Sequence, residues 1–237
     1  MQKTVQNSFA DGMRDGLPIA LGYLSVSFTF GMMAVTGGIP VWAAVAISMT
    51  NLTSAGQFAG ISMIAAMASY FEVALTQLVI NIRYALMSLS LSQKLDRTVK
   101  TPARLLISFG ITDEVFAVAS TKEGVVGKRY MGGLIAAPYI GWALGTLLGA
   151  VAGTLLPPAA QSALGIAIYG MFLAIIVPAA KKSRPVLVVT LLAAALSCVF
   201  RWLPVLNRVS AGFVIIICSV AAAGIGALLF PKKEESV

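Results

Sequence analysis

Three groups of polar residues stand inside otherwise apolar stretches of this 237-residue sequence. The first is Thr50-Asn51-Leu52-Thr53-Ser54-Ala55-Gly56-Gln57, the second is Gln77, Asn81 and Arg83, and the third is Gly110-Ile111-Thr112-Asp113-Glu114. Hydrocarbon offers such groups no hydrogen-bond partner, so each must be satisfied by protein or by trapped water. Arg83 lies near the centre of its run, where a charged side chain costs about 2.5–3.5 kcal/mol on insertion scales. Its natural partners are Asp113 and Glu114, and such a pair would serve structure alone or would bind substrate and gate movement. Asn51, Thr53 and Ser54 are each suited to cap a helix beginning near Ala55, and Thr112 or Asp113 to cap a second. A helix start exposed within a membrane presents free N–H groups and the positive end of a dipole, which can hold a carboxylate. Acidic side chains at the second start can meet an ammonium group. An amino acid carries both charges, and the abundant Leu, Ile, Val, Met and Phe suit an apolar side chain.

The elements that position these groups follow from composition. The chain is 58% apolar and 11% charged, against about 45–50% and about 25% in soluble domains. That excess cannot be hidden inside a globule of this size, so the sequence reads as one all-α polytopic membrane domain over residues 1–237. Soluble enzymes, disordered linkers and secreted disulfide scaffolds are excluded by the same arithmetic. The net charge of +8 does not point to nucleic acid, because the basic residues fall in short clusters between apolar runs. The first 15 residues carry Lys3, Asp11, Arg14 and Asp15 and no apolar core of signal-peptide length, so the first helix is itself the expected anchor.

Apolar runs lie near 16–36, 41–70, 73–92, 105–121, 130–154, 160–180, 185–203 and 209–230. The run 41–70 is too long for one span and is interrupted at Asn51–Gln57; the run 105–121 is short and interrupted at Asp113 and Glu114. Basic residues cluster in the loops 93–104, 122–129 and 181–184. Single crossings throughout would put the first two of these on opposite faces, against the positive-inside tendency. If 41–70 and 105–121 are instead discontinuous segments that enter and return, all three loops and both termini are cytoplasmic. The expectation is six full transmembrane helices and two discontinuous segments, with Thr36–Pro40, Arg201, Arg208 and Glu72 toward the outer face. Gly31 and Pro40, like Gly149 and Pro158, are nine residues apart, an echo that fits a repeat or chance equally.

Small residues read as packing. Gly12, Gly16 and Gly22, and Gly141, Gly145, Gly149 and Gly153, recur at spacings that let helices approach closely. Cys198 and Cys218 lie in apolar runs without metal-ligand spacing and are expected as buried packing thiols. With no histidine, a His base, ligand or proton relay is impossible, and no phosphate-binding loop is present, so the chain is read as no enzyme and without a cofactor. Asp113 or Glu114 could still carry a proton during transport.

The segments Asp15-Gly16-Leu17-Pro18-Ile19-Ala20-Leu21-Gly22 with Phe28-Thr29-Phe30-Gly31, Ser54 to Gly60, Asn81-Ile82-Arg83-Tyr84 to Ser90, and Thr112 to Ala117 together resemble the AzlC family, the large subunits of bacterial branched-chain amino acid exporters. The likeness covers residues 15–117; beyond it, agreement is in hydropathy and length. The resemblance implies export of Val, Leu, Ile and also Met across the cytoplasmic (inner) membrane, driven by the proton motive force, together with a small AzlD-type membrane subunit. Carried onto matching positions, it marks Asn51, Ser54, Gly56, Gln57, Asn81, Arg83, Asp113 and Glu114 as substrate-site residues. A passive channel built on the same polar breaks and a non-transporting membrane scaffold are the rival readings.

Overall fold

In a computed structural model that describes residues 5–157, 159, 170, 173 and 176–231, the protein is an all-α polytopic membrane protein. Its elements are a short strand β1 (Val5–Gln6), then α1 (Phe9–Thr36), α2 (Val41–Thr50), α3 (Ser54–Ala65), α4 (Tyr70–Ser92), α5 (Thr101–Phe109), α6 (Asp113–Thr121), β2 (Val125–Val126), α7 (Lys128–Leu155), α8 (Arg184–Trp202) and α9 (Ala211–Leu229). Five of these, α1, α4, α7, α8 and α9, are long and apolar enough to cross a bilayer among the described residues. The sixth expected crossing, 160–180, falls largely outside the described residues, as does Pro158. The chain divides into two compact units, one of residues 1–61 and 81–165 and the other of 62–80 and 166–237.

The first unit is organised by α1 and α7, two helices of 28 residues each that run parallel in close contact. Gly12 lies against the backbone of Tyr130 and Leu134, Gly141 against Ala20, Gly31 against Thr146 and Ala150, and Gly153 against Met32. The missing Cβ atoms are what allow this approach, since a methyl group at Gly12, Gly31, Gly145 or Gly149 would collide with facing backbone. Of the glycines expected to pack, Gly22 alone has nothing within contact distance. Parallel packing puts the starts of α1 and α7 at one end. There β1 pairs in parallel with β2, Val5 beside Val125, and Val126 exchanges backbone hydrogen bonds with Lys94 and Asp96. The N-terminal segment and the loops 93–100 and 122–127 therefore gather at one end of the unit.

The two discontinuous segments are hairpins that enter from opposite ends. From the end just described, α5 rises nine residues and stops at Gly110, whose N–H donates to the Ile107 carbonyl while the Ile111 N–H donates to that of Ser108. After Ile111 and Thr112, α6 returns nine residues to the same end. Each arm is about 13 Å long, roughly half of a ~30 Å hydrocarbon core, which sets the tip near mid-depth. Buried Leu91, Leu95, Val99, Ile107, Ile111, Val115, Val126, Tyr130, Met131 and Leu134 hold this hairpin in one cluster. At the far end of α1 the chain turns through Gly38, whose φ of +88° favours glycine, into α2 behind Pro40. α2 ends at Asn51, and α3 goes back toward its origin: Phe58 packs edge-on against Phe30 at 5.7 Å, and a methyl group at Gly37 would lie 3.6 Å from Ile61 Cγ2.

In the second unit, α8 packs beside α9, with Gly226 fitted against Val189. Cys218 is buried as expected; Cys198 is exposed rather than buried, on a helix, α8, that buries none of its residues.

Candidate functional site

The breaks in the two hairpins are made by hydroxyl caps. Thr53 Oγ1 accepts from the Gly56 N–H at the start of α3, and Thr112 Oγ1 accepts from the Val115 N–H at the start of α6. Both threonines are buried. A threonine hydroxyl competes with helical continuation by offering the next turn its own acceptor, so the chain restarts rather than running through. Thr53 also meets Asn81 on α4, Oγ1 to Oδ1 at 2.7 Å, which ties the α3 start to that helix.

The two helix starts open on one small cavity lined by Leu52 and Ser54 from the first hairpin, Thr112, Asp113 and Glu114 from the second, Tyr23 of α1, Trp142 of α7 and Tyr84 of α4. Its volume of about 20 Å³ accommodates a water molecule, which needs about 10–15 Å³, and excludes an amino acid. Asp113 Oδ2 pairs with Arg83 Nη1 at 2.7 Å, both side chains nearly half exposed (45% and 43%). Arg83 also lies over the Tyr84 ring, 4.9 Å from its centroid, and donates to the Tyr84 hydroxyl at 3.2 Å. Glu114 pairs elsewhere: it accepts from the Tyr23 hydroxyl. The Tyr23 ring stands edge-on to the Trp142 indole at 5.1 Å and 77°. Trp142 is 2% exposed and its Nε1–H has no acceptor among the described residues.

Of the expected site residues, Ser54, Asp113 and Glu114 line the cavity, Arg83 reaches it through Asp113, and Asn81 braces its edge through Thr53. Asn51, Gly56 and Gln57 do not line it. Asn51 terminates α2, its N–H bonded to the Ile47 carbonyl; Gly56 supplies the capped N–H. Gln57 is buried on the other side of α3, where its Nε2 donates to Ser48 Oγ at 3.0 Å and Ser48 in turn bonds Thr146 Oγ1 at 2.6 Å. This buried string fastens the first hairpin to α7. Tyr139 adds a bond to the Met49 carbonyl, one of those that the end of α2 frees.

Sequence reasoning missed Tyr23, Tyr84 and Trp142. A usable signal existed for two of them. Tyr23 and Trp142 are each the fifteenth residue of a 28-residue span, and an aromatic ring with a polar handle at mid-span needs a partner there.

A model of the AzlC protein family matches residues 18–156, a stretch that includes both hairpins and every residue lining the cavity. The inner membrane protein YgaZ of Escherichia coli is 31% identical over 197 residues, 80% of each chain. A membrane protein of Archaeoglobus fulgidus is 33% identical over 172 residues, 72% of this chain and 75% of its own, and one of Helicobacter pylori is 32% identical over 151 residues, 62% and 65%. No solved structure matches. On the reach of the family match and on the likeness to a relative covered over most of its length, the chain belongs to the AzlC family.

Proposed function

We propose that this protein is a secondary transporter that exports branched-chain amino acids, Val, Leu and Ile with Met as a further substrate, across the bacterial cytoplasmic membrane, with no enzymatic step and no cofactor. The observation that carries this reading is the meeting of two half-membrane helix starts, Ser54 and Asp113, around one polar cavity between α1, α4 and α7. Broken helices facing each other near mid-depth are how secondary carriers hold charged solutes where lipid is hostile to them. The start of α3 has no carboxylate in its first turn and suits the substrate carboxylate, assisted by the indole N–H of Trp142. Asp113 and Glu114 suit the ammonium group, in exchange for their present partners Arg83 and Tyr23. Leu52, Tyr84 and Trp142 supply apolar surface for an aliphatic side chain.

The cavity is too small for the substrate, so transport requires the hairpins to part, each opening the site toward the end from which it enters. The proton motive force supplies the drive and a small AzlD-type subunit completes the working complex, with the basic loops 93–104 and 122–129 and both termini in the cytoplasm. Solute counterflow in proteoliposomes tests the reading. Liposomes loaded with unlabelled leucine should accumulate labelled valine, leucine or methionine transiently, more strongly when the small subunit is co-reconstituted. Absence of counterflow under both conditions, in protein that is monodisperse in detergent, refutes it.

A further inference from the structure

Glu72 is the one charged side chain among the fully buried described residues, 5% exposed, and it lies outside the cavity described above. Its Oε1 accepts from the Gly212 N–H at 2.9 Å, in the first turn of α9. No Lys or Arg among the described residues comes within ion-pair distance of it. One helical turn along α4, the fully buried Thr76 hydroxyl has no hydrogen-bond partner among the described residues. Both groups converge on Gly212: a methyl there would fall 2.5 Å from Glu72 Oε1 and 2.8 Å from Thr76 Oγ1. The absence of a side chain at Gly212 is what lets the carboxyl reach the helix start.

A buried carboxyl needs partners in each state it visits. When ionised, Glu72 has the Gly212 N–H and the positive end of the α9 dipole. When neutral, it carries one O–H that must be donated, and Thr76 Oγ1 is an adjacent acceptor with open lone pairs. Asp113 and Glu114 lack this arrangement, being held by Arg83 and by the Tyr23 hydroxyl. The other titratable or charged groups on the elements packed around Glu72 do not engage it: Tyr70 is 95% exposed on α4, Arg201 ends α8, Arg208 precedes α9, and Cys218 is further along α9.

We propose that Glu72, with Thr76 and the Gly212 N–H, is a proton-binding site and the coupling site of the transporter. Binding forms one O–H bond on the free carboxyl oxygen with a proton taken from water on one side of the membrane; release breaks it and returns the proton to water on the other. No electron transfer or co-reactant is involved. The coupling role rests on the transport reading, whereas the protonation itself does not.

Two measurements on the full chain in liposomes test this. Infrared difference spectra recorded over a series of pH values should contain a carboxylic-acid carbonyl band that disappears in Glu72→Gln and moves in frequency in Thr76→Val, which keeps the acid and removes the neighbouring hydroxyl. A trapped pH dye should record proton movement with substrate in wild type, falling about tenfold or more in Glu72→Gln, where no group at this position can ionise, and recovering in part in Glu72→Asp. Substrate counterflow, which needs no net ion movement, should fall much less. An unchanged band in Glu72→Gln, or substrate-linked proton movement at the wild-type rate in that variant, overturns the site. If wild type shows no counterflow, the transport reading falls, and the infrared band alone still decides whether Glu72 takes up the proton.

Discussion

The hydroxyl of Tyr23, at the middle of α1, donates to the carboxylate of Glu114, in the first turn of α6. This bond fastens the tip of the second hairpin to a helix that does not break, and the Tyr23 ring is held in turn by the edge of Trp142. Tyr23→Phe keeps the ring contact and removes the donor, leaving Glu114 with one partner fewer beside the cavity. If substrate must displace this bond, the variant should bind amino acid with altered affinity while its fold is retained. We expect counterflow to change by about tenfold, equivalent to ~1.4 kcal/mol in the barrier, with the melting temperature nearly unaltered. Equal affinity and rate in Tyr23→Phe would remove Glu114 from the substrate path.

Arg83 and Asp113 separate a structural from a functional role in the same way. Both side chains leave 43–45% of their surface uncovered by protein, so truncating one of them removes little packing. Arg83→Ala should therefore cost little in detergent stability yet reduce counterflow by at least about tenfold, because it leaves Asp113 without its cation at the helix start that we propose meets the substrate. Asp113→Asn should impair flux as well, and the double variant should be no worse than the single ones if the two act as a unit. A strictly additive loss in the double variant would show that they act separately.

The interruptions were legible in the sequence because they break hydropathy: Asn51, Thr53, Gly110 and Thr112 lie where a spanning helix would have apolar residues, and the positions of the charged loops argued that both segments return. The partners were legible only in part. Arg83 has two acids adjacent in sequence as equivalent partners, and only the structure pairs it with Asp113 while Tyr23 engages Glu114. Gln57 looked like a site residue because it follows the break, but three residues past the start of α3 it faces Ser48 rather than the cavity. Helical phase relative to a neighbour is a tertiary property, and an apolar run on every side conceals it. Glu72 shows the same limit: near the end of a span it read as a boundary carboxylate, and only the approach of Gly212 discloses its burial.

Substitutions at glycines test the packing of α1 on α7. Gly149 and Gly12 each lie directly against facing carbonyl oxygens, of Phe28 and Tyr130, so that an added methyl group must displace backbone. Gly149→Ala and Gly12→Ala should lose about 1–3 kcal/mol or more, seen as a lower melting temperature and reduced yield of monodisperse protein. Gly22→Ala has open space in the same helix and should be neutral or slightly stabilising, since alanine favours helix by about 1 kcal/mol over glycine. A melting curve for Gly149→Ala coincident with wild type would mean that the two helices do not pack as described.

The sidedness of the hairpins gives the final prediction. The loops 93–100 and 122–127 gather with the N-terminal segment at one end of α1 and α7, and the turn after Thr36 lies at the other. In a background with Cys198 and Cys218 replaced by alanine, single cysteines at exposed Arg97 and Glu123 should react with a membrane-impermeant thiol reagent from the same side, and a cysteine at exposed Thr36 from the opposite side. Two continuous crossings in place of the two hairpins would leave α7 parallel to α1 yet move Arg97 to the face of Thr36, because parity is conserved and only the loop between the broken segments changes side. Arg97 is thus the discriminating position. Its labelling together with Glu123 requires both segments to return, and its labelling together with Thr36 would unmake the paired half-helices on which the site is built.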